Sequence, residues 1–130
     1  MKPAPFDYIR PSTVEEACAA LAADPDARVL AGGQTLMPML AMRLARPSAV
    51  VDVTRIAALK GIETDGGAVR IAAATTQAAA LESAIVAREV PLLALALTHV
   101  GHPPTRARGT VGGSIAHGDP SAEIALAAAI

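Results

Sequence analysis

Over the first sixty residues, short apolar runs alternate with stretches of helical spacing. Phe6 to Ile9 predicts a short strand, ended by Arg10-Pro11. Ser12-Thr13-Val14-Glu15 fits a capping box, with Ser12 accepting from the Glu15 N–H and Glu15 reaching back. Val14, Ala17, Cys18, Leu21 and Ala22 then recur at the spacing of one helix face, and Asp24-Pro25 ends the run. Arg28-Val29-Leu30-Ala31 predicts a buried strand leading into Gly32-Gly33. Thr35 to Leu44 predicts a helix with Pro38 in its first turn, where a missing N–H is tolerated. Ala49 to Val53 predicts a further strand. Strand, glycine turn, helix and strand over 28–53 make a compact βαβ unit with parallel strands.

From Leu59 the pattern changes. Gly61-Ile62-Glu63-Thr64 and Val69-Arg70-Ile71-Ala72 flank Asp65-Gly66-Gly67, a hairpin signal. Thr75-Thr76 can cap a helix running through Leu81, and Val90-Pro91 precedes another over Leu92 to Thr98. Pro103-Pro104 argues for a loop from His99 to Gly109. The alternation over Gly109 to Ala116 reads as a partly buried strand with a polar side toward a ligand. Ser121 is the expected cap of a final helix containing Glu123, Ile124, Leu126 and Ile130. The class is α/β (α+β) in two subdomains, 1–57 and 58–130. The second is expected to be incomplete, because the last helical pattern stops on an apolar residue.

Composition narrows the function. The chain is 52% hydrophobic but only 2% aromatic, and its mean hydropathy is +0.41, so Ala, Val and Leu supply the core. Eleven basic residues against twelve acidic ones exclude a basic nucleic-acid footprint. A charged fraction of 18% hints at a surface covered by partners. No apolar run approaches the roughly 20 residues of a membrane span. Met1-Lys2-Pro3-Ala4-Pro5-Phe6-Asp7 lacks the apolar stretch of a signal peptide, so a cytoplasmic location is expected.

Single side chains offer little chemistry. Cys18 alone cannot form an internal disulfide or an iron–sulfur site, and its Ala-rich helical setting predicts a small core residue. His99, His102 and His117 lack metal-ligand spacing, and no metal site is expected. Met37, Met39 and Met42 read as a helical core stripe, Arg106 and Arg108 as structural or interface residues, and Asp119-Pro120 as the turn before the last helix. No catalytic residue is expected.

The chemistry lies in two glycine pairs, Ala31-Gly32-Gly33-Gln34-Thr35 and Thr110-Val111-Gly112-Gly113-Ser114. Each pair removes two Cβ atoms from a turn beside a hydroxyl, and each could leave backbone N–H groups pointing outward at a phosphate. Neither is a Rossmann fingerprint or a P-loop, since the third glycine and a Lys-Ser or Lys-Thr are missing.

Ala31-Gly32-Gly33-Gln34-Thr35-Leu36 and Arg108-Gly109-Thr110-Val111-Gly112-Gly113-Ser114, closed by Ala116-His117-Gly118-Asp119-Pro120, resemble the FAD-binding medium subunit of molybdenum hydroxylases. This is the aerobic carbon monoxide dehydrogenase and xanthine dehydrogenase type. Phe6-Asp7-Tyr8, Val51-Asp52-Val53 with Leu59 and Gly61, and Ala73-Ala74-Thr75-Thr76 agree with it. Two positions depart from the family pattern: Thr35 stands where Ser is more usual, and Ala107 where Asn is common. The resemblance runs the full length of this chain, about half of the family's subunit.

The resemblance implies the FAD-binding fold shared with p-cresol methylhydroxylase and vanillyl-alcohol oxidase. It implies that Ala31, Gly32, Gly33, Gln34 and Thr35 wrap the FAD diphosphate with Leu36 nearby. Thr110, Val111, Gly112, Gly113 and Ser114 would approach it from the second subdomain. His117 would lie near the ribityl or phosphate region, Glu123 near the adenosine and Gly101 near the isoalloxazine. It implies a heterotrimer, dimerised as a whole, with a [2Fe–2S] small subunit and a molybdenum-cofactor large subunit. Electrons would reach FAD from the clusters and leave to an external acceptor, with the isolated fragment inactive. Two alternatives remain open at this level: a truncated, non-catalytic assembly module, and a flavin-dependent oxidase of the same fold.

Overall fold

The computed structural model describes residues 1–130 and divides into two units, Met1–Ala58 and Leu59–Ile130. Three parallel strands organise the first: β1 (Asp7–Ile9), β2 (Arg28–Leu30) and β3 (Ala49–Asp52). The order is β1-β3-β2, so the last strand in sequence is central. That position explains its apolar run: all four residues of β3 are buried, and Val50 and Val51 have no exposed surface.

Helix α1 (Val14–Ala23) begins one residue later than the spacing predicts. Thr13, not Ser12, is the N-cap, and its hydroxyl accepts from the Glu16 N–H at 3.2 Å. Glu16 reaches back one residue past the N-cap, accepting from the Ser12 N–H at 2.7 Å. Ser12-x-x-Glu15 and Thr13-x-x-Glu16 both satisfy the Ser/Thr-x-x-Glu pattern, and the second is the one formed. Ala17 is the buried residue of α1, and Cys18 beside it is exposed, not a core residue.

Helix α2 (Leu36–Ala41) is shorter than predicted. It ends in a Schellman motif: Arg43 N–H donates to Leu40 C=O at 3.0 Å and Leu44 N–H to Met39 C=O at 2.9 Å. Arg43 takes φ +58°, where glycine is usual, and no sequence signal marks this stop. Only Leu40 of α2 is buried; Met37 and Met42 are exposed, so the methionines are not a core stripe.

In the second unit β4 (Ile62–Asp65) and β5 (Ala68–Ile71) form the predicted antiparallel hairpin. Gly66 and Gly67 both have positive φ, as a two-residue type I′ turn requires. Six helices follow: α3 (Gln77–Leu81), α4 (Ala84–Glu89), α5 (Pro91–His99), α6 (Pro103–Arg108), α7 (Val111–His117) and α8 (Glu123–Ala129). Ala80, Val86, Leu93, Leu97, Val111 and Ile124 form their shared core. The Thr75 hydroxyl ties the hairpin to this core, accepting from Gly61 N–H and donating to Gly61 C=O, both at 3.0 Å.

Three expectations fail here. Residues 103–108 are a helix, because Pro103 and Pro104 occupy its first turn, where no N–H is needed. Residues 111–117 are a helix, not a strand: Val111 and Ile115 stand four apart, a spacing that suits a helix face as well as alternation. Ser121 does not cap α8; Ala122 is the N-cap, and Ser121 donates instead to the Asp119 carboxylate. No helix is long and apolar enough to cross a membrane.

Candidate functional site

The first glycine pair sits at the carboxyl end of β2, between Leu30 and α2. Gly33 has φ +72°, a conformation L side chains rarely adopt. A Cβ there would lie 3.2 Å from both Leu30 Cδ1 and Met37 Cγ. The turn spends its carbonyls inward: Gly33 C=O accepts from Met37 N–H at 3.1 Å and Thr35 C=O from Met39 N–H at 3.2 Å. Gln34 folds back to donate to Gly32 C=O at 3.2 Å. The N–H groups of Gly32, Gly33, Gln34 and Thr35 donate to no protein group. Thr35 makes no side-chain cap bond either. The amides of the first turn therefore have no protein partner.

The second pair is built differently. Thr110 is the buried N-cap of α7, and its hydroxyl accepts from Gly113 N–H at 3.1 Å. Val111 N–H donates to Thr75 C=O and Gly112 N–H to Ala73 C=O, each at 3.0 Å. These amides are occupied, so the reading of Gly112-Gly113 as a second set of free donors is corrected. Gly112 serves close packing: its Cβ would fall 2.6 Å from Ala73 Cα.

Thr110, Ser114 and His117 are spaced i, i+4 and i+7, which puts them on one stripe of α7. Ser114 is half-buried and His117 exposed. Gly118 ends the helix at φ +67°, its N–H on Ser114 C=O. Glu123 opens α8 with its side chain exposed, and α7 packs on α8. Gly101 has φ +47° just past α5, where a Cβ would meet Thr105 at 3.3 Å. Arg106 holds that corner, donating to Val100 C=O at 2.9 Å and Gly101 C=O at 3.1 Å. Arg106 is thus structural, as expected; the Arg108 side chain is exposed.

Two features escaped sequence reasoning. Gln77 is buried, with Oε1 lacking a hydrogen-bond partner and pressed where a Cβ on Gly109 would stand 2.7 Å away. No pattern announces this pairing across thirty-two positions. Asp52 is buried at the end of β3 and accepts from the Tyr8 hydroxyl and from Thr54 N–H at 2.8 Å. Burial pushes its carboxyl up, but the hydrogen bonds from Thr54 and Tyr8 outweigh that and hold it below the usual carboxylate range. The same bond, with burial and the carboxylate's charge, raises the Tyr8 phenol. A lone acid closing the apolar run Ala49 to Val53 was the available signal. No group of three or more His, Cys, Asp or Glu side chains could hold a metal ion.

Comparison with known proteins adds to this geometry. The chain is 43% identical over 123 residues to the nicotine 6-hydroxylase medium subunit of Paenarthrobacter nicotinovorans, covering 95% of this chain and 44% of that one. It is 44% identical over 121 residues to the carbon monoxide dehydrogenase medium chain of Hydrogenophaga pseudoflava, covering 92% and 42%. Reconstituted CO dehydrogenase from Oligotropha carboxidovorans superposes with a TM-score of 0.93 at 40% identity, covering 95% of this chain and 44% of that one. The chain thus spans less than half the length of the relatives it matches. Residues 4–130 match the family described as the FAD binding domain in molybdopterin dehydrogenase, and the chain belongs to that family.

Proposed function

We propose that this chain is the diphosphate-gripping part of an FAD-binding electron-transfer subunit in a molybdenum, iron–sulfur and flavin dehydrogenase. The observation that carries the reading is the set of unpaired N–H groups at Gly32, Gly33, Gln34 and Thr35. Neutral amides in a side-chain-free turn satisfy a diphosphate without Lys or Arg. The residues present therefore fit FAD. Bound flavin supplies reversible electron transfer between one-electron clusters and an external acceptor.

Around it, Ala31 and Leu36 flank the donor turn. In the second unit, the occupied amides of Val111, Gly112 and Gly113 leave side chains to make contact. We assign hydrogen-bonding roles to the Ser114 hydroxyl and the His117 ring, whereas the buried Thr110 hydroxyl serves as the cap of α7. The Glu123 carboxylate, an acceptor only, suits sugar hydroxyls. Gly112 packs on Ala73, so close approach is left to Gly101 and Gly113. No residue of this chain needs to move a substrate proton. Partners in this reading are a [2Fe–2S] small subunit and a molybdenum large subunit, in a cytoplasmic heterotrimer. Exposed Leu95 and Leu126, on the packed helices α5 and α8, support a surface that other polypeptide covers.

The test is a titration of the chain with FAD, followed by flavin fluorescence. One equivalent is expected to saturate it. Gly33→Val is expected to weaken binding by at least about tenfold, roughly 1.4 kcal/mol, while circular dichroism shows the fold retained. Equal affinity in the variant, or no binding by the parent chain, overturns the reading.

A further inference from the structure

The carboxyl end of the first sheet holds a polar cluster that cofactor binding does not directly use. Asp52 is 7% exposed, yet no Lys or Arg forms an ion pair with it. A buried carboxylate without a counter-ion is costly unless hydrogen bonds compensate. Here they do. The Tyr8 hydroxyl donates to Oδ2, and the Thr54 N–H and hydroxyl donate to Oδ1 at 2.8 and 2.6 Å.

These bonds fix the Val53–Thr54 corner, and that corner reaches the glycine turn. Val53 N–H donates to Leu30 C=O at 3.0 Å. Leu30 pairs with Asp52 in register and is the last residue before the turn. Its Cδ1 also lies under Gly33, within 3.2 Å of the position a Cβ would take. Parallel register puts Tyr8, Leu30 and Asp52 on one face of the sheet, since Tyr8 pairs with Val50. One carboxylate thereby holds the strand end from which the open amides project.

We propose that Asp52 is the positioning residue of the Ala31–Thr35 turn, and that with Tyr8 and Thr54 it sets the amide directions on which FAD binding depends. This rests on the cofactor reading above. The charged and titratable groups acting on Asp52 are Tyr8 on β1 and Arg10 after β1, and Arg55 after β3 acts on Tyr8. Helix α1, which packs on β3, carries Glu15 and Glu16 in its exposed first turn, and Glu16 is held by the Ser12 N–H.

The test follows the backbone amide resonances of Gly32, Gly33, Gln34 and Thr35 in the cofactor-free chain from about pH 7 down to about pH 2, because the Asp52 carboxyl is held below the usual carboxylate range. Parent, Asp52→Asn and Tyr8→Phe are compared, and FAD is then titrated at neutral pH. The turn amides are expected to move with the Asp52 carboxyl in the parent chain and to stay flat in Asp52→Asn, which separates Asp52 from Glu15 and Glu16. FAD affinity is expected to fall about tenfold in Asp52→Asn and less in Tyr8→Phe, which keeps the carboxylate. If Asp52→Asn does not fold, a shift of the turn amides in Tyr8→Phe supports the proposal, and unmoved turn amides overturn it. Turn amides that ignore the Asp52 carboxyl, with FAD bound as before, also overturn it and leave the cofactor reading intact. Turn amides that track it in a chain that takes up no FAD support the positioning and overturn the cofactor reading.

Discussion

At the scale of single residues, the two glycine pairs look alike in sequence and do opposite work. Gly33 is needed for its dihedral and for open amides, whereas Gly112 is needed for what touches it. A Cβ at Gly112 would meet Ala73 Cα and Cβ at 2.6 Å and Ala73 C=O at 2.7 Å, and backbone cannot step aside as a side-chain tip can. Overpacking of that kind costs about 1–3 kcal/mol or more. Replacing glycine by alanine within a helix returns about 1 kcal/mol of propensity. The clash is the larger effect, so Gly112→Ala is expected to destabilise the chain by about 1–2 kcal/mol. Urea denaturation measures this. An unchanged or raised midpoint would mean that Ala73 moves freely and that the packing role is wrong. The sequence could not separate the two pairs, because Ala73 lies thirty-nine positions away and nothing local marks the approach.

At the scale of elements, the signals that survived were those with only one structural solution. Asp65-Gly66-Gly67 needs two positive-φ residues in a row and forms the predicted hairpin. The short, valine-rich run Ala49 to Val53 favours a buried strand by length and β-branching, and β3 is buried throughout. Signals with two solutions misled. Pro103-Pro104 ends a helix or opens one, and here it opens α6. Val111 and Ile115 suit a strand or a helix, and the cap decides. Thr110 holds Gly113 N–H, and Gly118 stops the helix in the left-handed region, so seven residues become α7 despite two glycines. Helix α4 has a Ser83 cap and a buried Val86, but six residues give too little periodicity to read. The candidate site was legible in the same measure: the first turn's free donors follow from local chemistry, while the second turn's donors are taken by Ala73 and Thr75, which only the tertiary fold brings there. Thr110→Val removes the acceptor and leaves the half-buried Gly113 N–H unpaired, at a cost of about 1–2 kcal/mol, and Thr110→Ser restores most of it. Thermal melts of the two variants check this; equal midpoints for Val and Ser would remove the hydroxyl from the account of α7.

At the scale of the whole molecule, the sparse charge predicts how stability responds to solution conditions. The ion pairs are Arg70 with Glu63 and Asp65, and Arg88 with Glu89, all on exposed side chains. Exposed pairs contribute about 0–1 kcal/mol each and are screened by salt. The perturbed carboxylates are held instead by neutral donors. Asp24 is lowered by the Ser48 hydroxyl and the Asp26 N–H, and Asp119 by the Ser121 hydroxyl and N–H. Asp52 is lowered by Thr54 and Tyr8 after they outweigh its burial. In all three the folded pKa lies below the unfolded one. The unfolded chain therefore binds more protons in acid, and stability rises with pH through that window. The contribution is fully present above the ordinary aspartate value of about 3.9 and is lost as pH falls through the folded values. The melting temperature is expected to be level from about pH 7 to about pH 5 and to fall steeply below about pH 4. Added salt at neutral pH is expected to leave it nearly unchanged, because the donors to these carboxylates are neutral and act at hydrogen-bond distance, well inside the screening length. Asp52→Asn is expected to melt lower at neutral pH and to show a shallower acid limb, since one of the three linked groups is gone. Melts recorded by circular dichroism across pH, with and without salt, decide the matter. A midpoint that drops with salt and holds in acid would shift the weight from these neutral donors to the surface ion pairs.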